Sequence, residues 1–269
     1  MRVSRNEQVL NYLILALFAA YALIPILRVL FLSLQPEKID GESGIHIENY
    51  AKAWEQGHFS DYMVNSLIIA VIVVSSALIL SLASGYVLGI LRPPGEIILF
   101  FLFLLGIMVP SEAIVLPLFF DLRRFGLIDT IWAIALPQIA QSLAFGTFWM
   151  RSFFRGVDPS MIEAARLDGA GNLRILWSVL IPVGLPVIVT QVVLTFMWTW
   201  NDFLIPLVMS PSGTMRTAPL GLAFFQGQYT QGTTLLAAGA VLVALPMVVL
   251  YLVLQRYFIS GMTDGAVKG

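Results

Sequence analysis

Cysteine is absent from this 269-residue chain, which excludes a disulfide framework and thiolate chemistry. Histidine is nearly absent: His46 and His58 are the only two, and both lie in one polar stretch between apolar runs. That excludes a histidine-rich metal centre and any Ser-His-Asp arrangement inside an apolar segment. Lysine is scarce too. Lys38, Lys52 and Lys268 are the only ones and none follows a glycine, so the Gly-Lys-Ser/Thr core of a phosphate-cradling loop is missing. Any ATP hydrolysis belongs to another polypeptide. Charged residues make up only 12% of the chain and balance to −1, which leaves no basic face for nucleic acid. Clustered carboxylates are lacking as well, which argues against a membrane-embedded enzyme.

What the chain has is apolar length. Hydrophobic residues make up 58% and the mean hydropathy is +0.87, too apolar for a soluble core and right for a polytopic all-α membrane protein. A crossing takes about 20 apolar residues. Six stretches qualify: 9–33, 63–91, 97–120, 130–150, 186–209 and 233–255. Arg2 and Arg5 precede the first, in the manner of a signal peptide, but the run continues too far and no small-residue cleavage site follows, so a retained first span is expected. Pro110 and Pro117 interrupt the third stretch and Pro137 the fourth, predicting kinks. No repeat or low-complexity tract is visible, and a single membrane domain, 1–269, is expected.

Arginine and lysine set the orientation. With the N-terminus in the cytoplasm, Arg2, Arg5, Arg92, Arg151, Arg155, Arg166, Arg174, Arg256 and Lys268 fall inside, and Lys38, Lys52, Arg123, Arg124 and Arg216 outside, nine against five. The Arg123-Arg124 pair runs against this assignment but is flanked by Asp121 and Asp129. The first outward segment, 35–62, is acidic through Glu37, Asp40, Glu42, Glu48, Glu55 and Asp61. It is either a landing surface for a soluble partner or a solvated loop.

The long polar insertion of the second half, 158–182, reads as an elbow of two short helices between the fourth and fifth spans. Asp158 suits an N-cap and Pro159 the first helical position, predicting a helix over 160–168 that ends where Gly169 or Gly171 turns left-handed. Asn172 is expected to cap the second helix and Pro182 to break it. Glu163 and Arg166 are spaced to pair with each other. Ala164 and Ala165, being small, allow a partner surface to approach the backbone closely.

Within that elbow, Glu163-Ala164-Ala165, three residues, Gly169, nine residues, then Val179-Leu180-Ile181-Pro182 resemble the loop signature of binding-protein-dependent ABC importer permeases. The spacing is kept throughout; Val179 and Ile181 are conservative departures. Asn65-Ser66-Leu67, Trp200-Asn201-Asp202-Phe203 and the tail QRYFISGMTDGAVKG extend the resemblance toward the maltose-type, carbohydrate-uptake branch.

The resemblance implies a type I ABC importer permease fold of six transmembrane helices with both termini cytoplasmic, in a bacterial inner (plasma) membrane. It implies a cytoplasmic coupling loop, 151–184, in which Glu163, Ala164, Ala165, Asp168 and Gly169 meet an ATPase subunit, and a cytoplasmic tail, 256–269. That tail either makes a second ATPase contact or is disordered. The implied partners are a second permease subunit, two ABC ATPase subunits that hold ATP and Mg, and an extracellular or periplasmic solute-binding protein. This chain would bind no cofactor and would not itself be an enzyme.

Gln191, Thr195, Trp198 and Asp202 follow one another at intervals of four, three and four, so at about 100° per residue they share one helical face. With Asn201 and Asn65 they form a candidate substrate path, Trp198 stacking on a sugar face and Gln191 or Thr195 bonding its hydroxyls. The alternative is helix–helix glue, with Trp198 and Trp200 in an interfacial aromatic belt. Asp202 suits a structural or gating role. Ser66, Glu112, Gln138 and Gln141 are further polar positions at or within spans. Two other transport readings remain: a glycerophosphate-type or other small solute, and an ion-coupled secondary transporter supported only by Glu112 and Asp202.

Overall fold

A computed structural model describes residues 4–36, 44–226 and 232–266, with side chains through Tyr257. Every regular element among them is helical: α1 Arg5–Ser33, α2 Glu48–Gln56, α3 Phe59–Tyr86, α4 Glu96–Met108, α5 Ser111–Arg124, α6 Ile131–Arg155, α7 Pro159–Leu167, α8 Asn172–Ile175, α9 Ile181–Val183, α10 Leu185–Asn201, α11 Leu204–Met209, α12 Ala218–Gly221 and α13 Thr233–Ala266. π-Helical turns at Val87–Leu91 and Leu176–Leu180 extend α3 and join α8 to α9, and a 3-10 turn at Leu222–Gln226 follows α12. Four helices are long and apolar enough to cross a membrane, or six if each of two bent pairs is one span. Glu37, Asp40 and Glu42 of the acidic segment, and 267–269 of the tail, lie outside the described residues.

The chain divides into two compact units. In the first, Met1–Ser60 with Gly221–Leu245, α1 starts on a capping box: Ser4 Oγ accepts from the Glu7 N–H at 3.3 Å and Glu7 Oε2 from the Ser4 N–H at 2.8 Å. Its apolar side chains are exposed all round its length and await lipid or another chain. At its end, buried Asn49 donates to the carbonyls of Ser33 (3.0 Å) and Gln35 (2.9 Å), and Tyr50 shares a hydrogen bond with Ser33 (2.7 Å). Segment 35–62 therefore contains a tethered helix, α2, where the sequence reading had a loop.

The second unit, Asp61–Leu220 with Pro246–Gly269, carries two apolar clusters. One joins Ile69 and Val73 of α3, Val115 and Leu122 of α5, Ala133 to Ala135 of α6, and Ile205 and Met209 of α11. The other gathers Leu82 and Tyr86 of α3, Met150 and Phe154 of α6, Ile188 of α10, and Ile162, Ile175 and Leu180 of the elbow. Small residues bring α3 and α6 together: a Cβ on Gly85 would lie 2.5 Å from Met150 Cβ, and one on Gly89 2.8 Å from Phe154 Cβ. Ser84 Oγ and Thr147 Oγ1 bond across the same crossing at 2.7 Å.

An ion pair ties α4 to α6. Arg155 Nη2 donates to Glu96 Oε1 at 2.6 Å, Arg151 Nη2 lies 3.7 Å from Glu96 Oε2, and the Arg151 guanidinium sits 3.7 Å from the Phe100 ring centroid. Both arginines thus belong to α6 rather than to a polar loop. Glu96→Gln leaves two guanidiniums facing a neutral amide. With the partial exposure of Arg155 allowed for, the cost is about 1–2 kcal/mol. Thermal unfolding in detergent should register a lowered midpoint for this variant and none for an exposed control such as Glu55→Gln.

Prolines behave differently from the simple expectation of kinks. The third predicted span is two helices, α4 and α5, at 97°. Val109, held off the helical region by Pro110, is extended at φ −78°, ψ 117°. Pro117 and Pro137 sit inside continuous helices. Ahead of the fifth predicted span, 186–209, Gly184 separates the elbow helices, 172–183, from α10 at 82°. A Cβ on Gly184 would fall 2.6 Å from the Phe153 ring, so any larger residue at the bend has to displace that ring. α10 stops at Asn201, and the stretch to Met209 is the separate α11. The sixth predicted span runs on into the tail, because α13 extends to Ala266.

Candidate functional site

The elbow follows from local capping. Asp158 Oδ1 accepts from the Ser160 N–H at 2.9 Å and Pro159 opens α7. That backbone N–H holds the Asp158 carboxyl below the usual carboxylate range. At the other end Gly169 has φ +77°. The Gly169 N–H donates to the Arg166 carbonyl (3.0 Å) and the Ala170 N–H to the Ala165 carbonyl (2.9 Å), the double closure of a Schellman turn. Gly171, the other candidate for that turn, has φ −73°. It also holds the cap position assigned to Asn172, whose Oδ1 accepts instead from Tyr86 OH at 3.4 Å.

Only one face of α7 is packed. Ile162 is buried in the second apolar cluster, with Ala165 and Ala170 against it. Glu163, Ala164, Arg166 and Asp168 are exposed, and no ion pair joins Glu163 to Arg166 among the described residues. Their two charged heads therefore remain free for another surface. Leu167 is 89% exposed and Trp177, on the π-helical turn, 62%. Large apolar groups so bare at a polar elbow are suited to burial by another polypeptide.

The second feature is a cavity of about 660 Å³ in the same unit. Two helix breaks shape it: the 97° bend at Pro110 and the break between α10, ending at Asn201, and α11, starting at Leu204. Trp198 forms part of the wall, edge-on to Phe145 at 4.8 Å between centroids. Asp202 accepts from Gln138 Nε2 at 2.7 Å and from the Ile205 N–H at 3.3 Å, so its carboxylate both starts α11 and faces the cavity. Ser111, Glu112, Gln141, Ser142, Thr199 and Asn201 complete the polar lining.

The polar face read from α10 is divided by this arrangement. Trp198, Asn201 and Asp202 line the cavity, whereas Gln191 and Thr195 do not. Gln191 is fully buried, and its amide packs so near α6 that a Cβ on Gly146 would come within 2.2 Å of Nε2. Asn65 lies elsewhere, donating to the Arg216 carbonyl at 3.0 Å, while Ser66 Oγ accepts from the Ala218 N–H at 2.8 Å. Both secure the chain ahead of α12. Phe145, Ser111 and Thr199 are wall residues that sequence reasoning passed over. Thr199, four residues beyond Thr195, was within reach of the same periodicity.

Residues 81–264 match the family described as binding-protein-dependent transport system inner membrane component. The chain belongs to that family. The matched stretch contains the whole elbow and the whole cavity wall, so both features lie in the shared part of this permease. Among its relatives is the trehalose transport system permease protein of Mycobacterium tuberculosis, 35% identical over 94% of this chain and 95% of that one. The arabinooligosaccharides transport system permease protein of Halalkalibacterium halodurans is 31% identical, covering 98% and 99%. The trehalose/maltose transport system permease protein of Thermococcus litoralis is 30% identical, covering 83% and 81%.

A chain in the crystal structure of a bacterial ABC transporter involved in the import of the acidic polysaccharide alginate superposes with a TM-score of 0.77 at 24% identity, over 96% of this permease and 99% of that chain. That likeness establishes the fold. The permease is thus a multi-pass inner-membrane component of a bacterial ABC importer, a transport part that is not itself catalytic. Membership implies an ATPase and a solute-binding protein as partners.

Proposed function

We propose that this permease carries a sugar or oligosaccharide across the membrane after an external binding protein delivers it, driven by ATPase subunits that grip the elbow. The observation that carries this reading is the construction of the elbow. Ile162 anchors α7 to the membrane helices, while Glu163, Ala164, Arg166 and the bare Leu167 face outward. A push on that surface is transmitted through Ile162 to Tyr86 of α3 and Phe154 of α6. In this account the whole chain, 1–269, acts as one permease domain with both termini, the loop 151–184 and the tail 256–269 in the cytoplasm. A second, different permease chain completes the pathway, and ATP and Mg stay on the two ATPase subunits. Their closure favours one of two arrangements of the spans, which is what makes import alternate between the two sides.

The trehalose, arabinooligosaccharide and maltose systems of the relatives support a carbohydrate cargo, and so does the cavity. Trp198 offers an apolar face for a sugar ring beside hydrogen-bonding groups for its hydroxyls. Proteoliposomes holding this permease, its partner permease, the ATPases and the binding protein should accumulate labelled disaccharide only with ATP inside. Uptake that persists without ATP and follows an ion gradient would contradict the reading. Trp198→Ala should lower that uptake about tenfold, the equivalent of one lost stacking contact near 1.4 kcal/mol. The complex should still assemble, whereas failed assembly would make Trp198 a packing residue.

A further inference from the structure

We propose that the wall this permease contributes to the cavity is a charge and hydrogen-bond filter, built from Glu112, Asp202 and Gln138, that admits uncharged polyhydroxylated solutes and turns anions away. The inference rests on the cavity being the solute path and adds the class of cargo that path accepts.

The wall has charge of one sign only. Glu112 and Asp202 both line it, and no lysine, arginine or histidine does so among the described residues. Neither carboxylate has an ion-pair partner among those residues. Asp202 spends its hydrogen bonds on the Gln138 amide and the Ile205 N–H, both neutral donors. Its negative charge is therefore oriented but not cancelled. Charge of one sign on the low-dielectric wall of a cleft is focused into the cleft.

Two further groups point to a ligand. A carboxylate only accepts, so Gln138 must turn its N–H toward Asp202, which leaves Gln138 Oε1 as a second acceptor. Gln138 is 5% exposed and Oε1 has no partner among the described residues. Thr199, 7% exposed on the same wall, leaves its hydroxyl equally unpartnered. Buried polar atoms left without partners are costly, and the residues that carry these line a cavity large enough for a sugar.

The wall is thus rich in acceptors. A sugar hydroxyl donates, and can satisfy Asp202, which Gln138 holds in place, and Glu112 while its ring lies on Trp198. A phosphate, sulfate or uronate carboxylate brings negative charge, and meets the two unpaired carboxylates of the same wall with repulsion. This separates the neutral-sugar cargo from the glycerophosphate-type alternative.

The absence of cysteine from this permease allows a direct test. Ser111, on the wall beside Glu112, becomes the single thiol of this chain in Ser111→Cys. In the assembled importer, trimethylammonioethyl methanethiosulfonate and sulfonatoethyl methanethiosulfonate are compared by the mass gained by this chain, each rate normalised to free cysteine. The cationic reagent should react about tenfold faster or more, and Glu112→Gln combined with Asp202→Asn should bring the ratio near one. An equal ratio in the parent, a ratio the double variant leaves unchanged, or a thiol closed to both reagents overturns the filter. Disaccharide uptake, read separately in the parent proteoliposomes, reports on the underlying transport function. Normal uptake with no reagent preference removes the filter alone, and absent uptake removes the transport reading whatever the ratio.

Discussion

Gly169→Val should reduce ATP-driven uptake at least tenfold while the spans of the permease remain folded. The residue sits at φ +77°, and a Cβ there would meet nothing within 4 Å, so the penalty comes from the backbone and not from crowding. A β-branched side chain in that region costs about 1–3 kcal/mol. The strain is relieved by undoing the turn, which releases the Gly169 to Arg166 and Ala170 to Ala165 hydrogen bonds. The last turn of α7 then frays, and with it the placement of Glu163, Ala164 and Asp168. Co-purification of the ATPase should fall, or its hydrolysis should continue without uptake. Gly169→Asn, which tolerates the left-handed region better, should recover part of the activity. A valine variant that assembles and imports normally would refute the turn as the coupling device.

Gly85→Leu should prevent accumulation of folded permease altogether. Its Cβ would meet Met150 Cβ at 2.5 Å, the Arg151 backbone nitrogen at 3.0 Å and the Met150 carbonyl carbon at 3.1 Å. Two of those three are main-chain atoms of α6, which no rotamer change can move. Opening the crossing also parts Ser84 from Thr147 and disturbs the cluster holding Tyr86, Met150 and Phe154. The combined loss exceeds about 3 kcal/mol, more than a marginal membrane bundle tolerates. Size-exclusion profiles of a fluorescently tagged chain should lose the monodisperse peak. Gly171→Ala is the matching control, because that position has an ordinary φ and open space around it. A monodisperse Gly85→Leu would show the helices to be less tightly apposed.

The sequence spoke most clearly where structure is local. Asp158, Pro159 and Gly169 sit where capping chemistry puts them, because each satisfies or shapes backbone within a few residues of itself. Apolar length likewise located α1, α3, α6 and α13. It failed where the outcome depends on what lies across the bundle. Pro110 breaks a helix and Pro137 does not, although the residue type is the same. Gln191, Thr195 and Trp198 share a helical face, yet α6 packs over the first, the second is buried away from the cavity, and only the third lines it. Asn172 has the chemistry of a cap but was engaged by Tyr86, 86 residues away. Arg151 and Arg155 looked like loop charges until Glu96, 59 residues before Arg155, gave them a place on α6. Partner distance of that kind leaves no periodic trace in the chain. The small-residue spacing of Ser81, Gly85 and Gly89 did leave one, and would have marked the face of α3 that α6 covers.

Site-directed cross-linking from the elbow tests the motor contact most directly. With no native cysteine in this permease, Ala164→Cys and Phe125→Cys each place one thiol of this chain, on α7 beyond the C-terminal end of α6 and on the loop before its N-terminal end. Both positions are exposed. Labelled with a photo-activated cross-linker in the assembled importer, position 164 should yield a covalent product with an ATPase subunit and position 125 should not. An ATPase product from position 125 with none from position 164 would contradict the account.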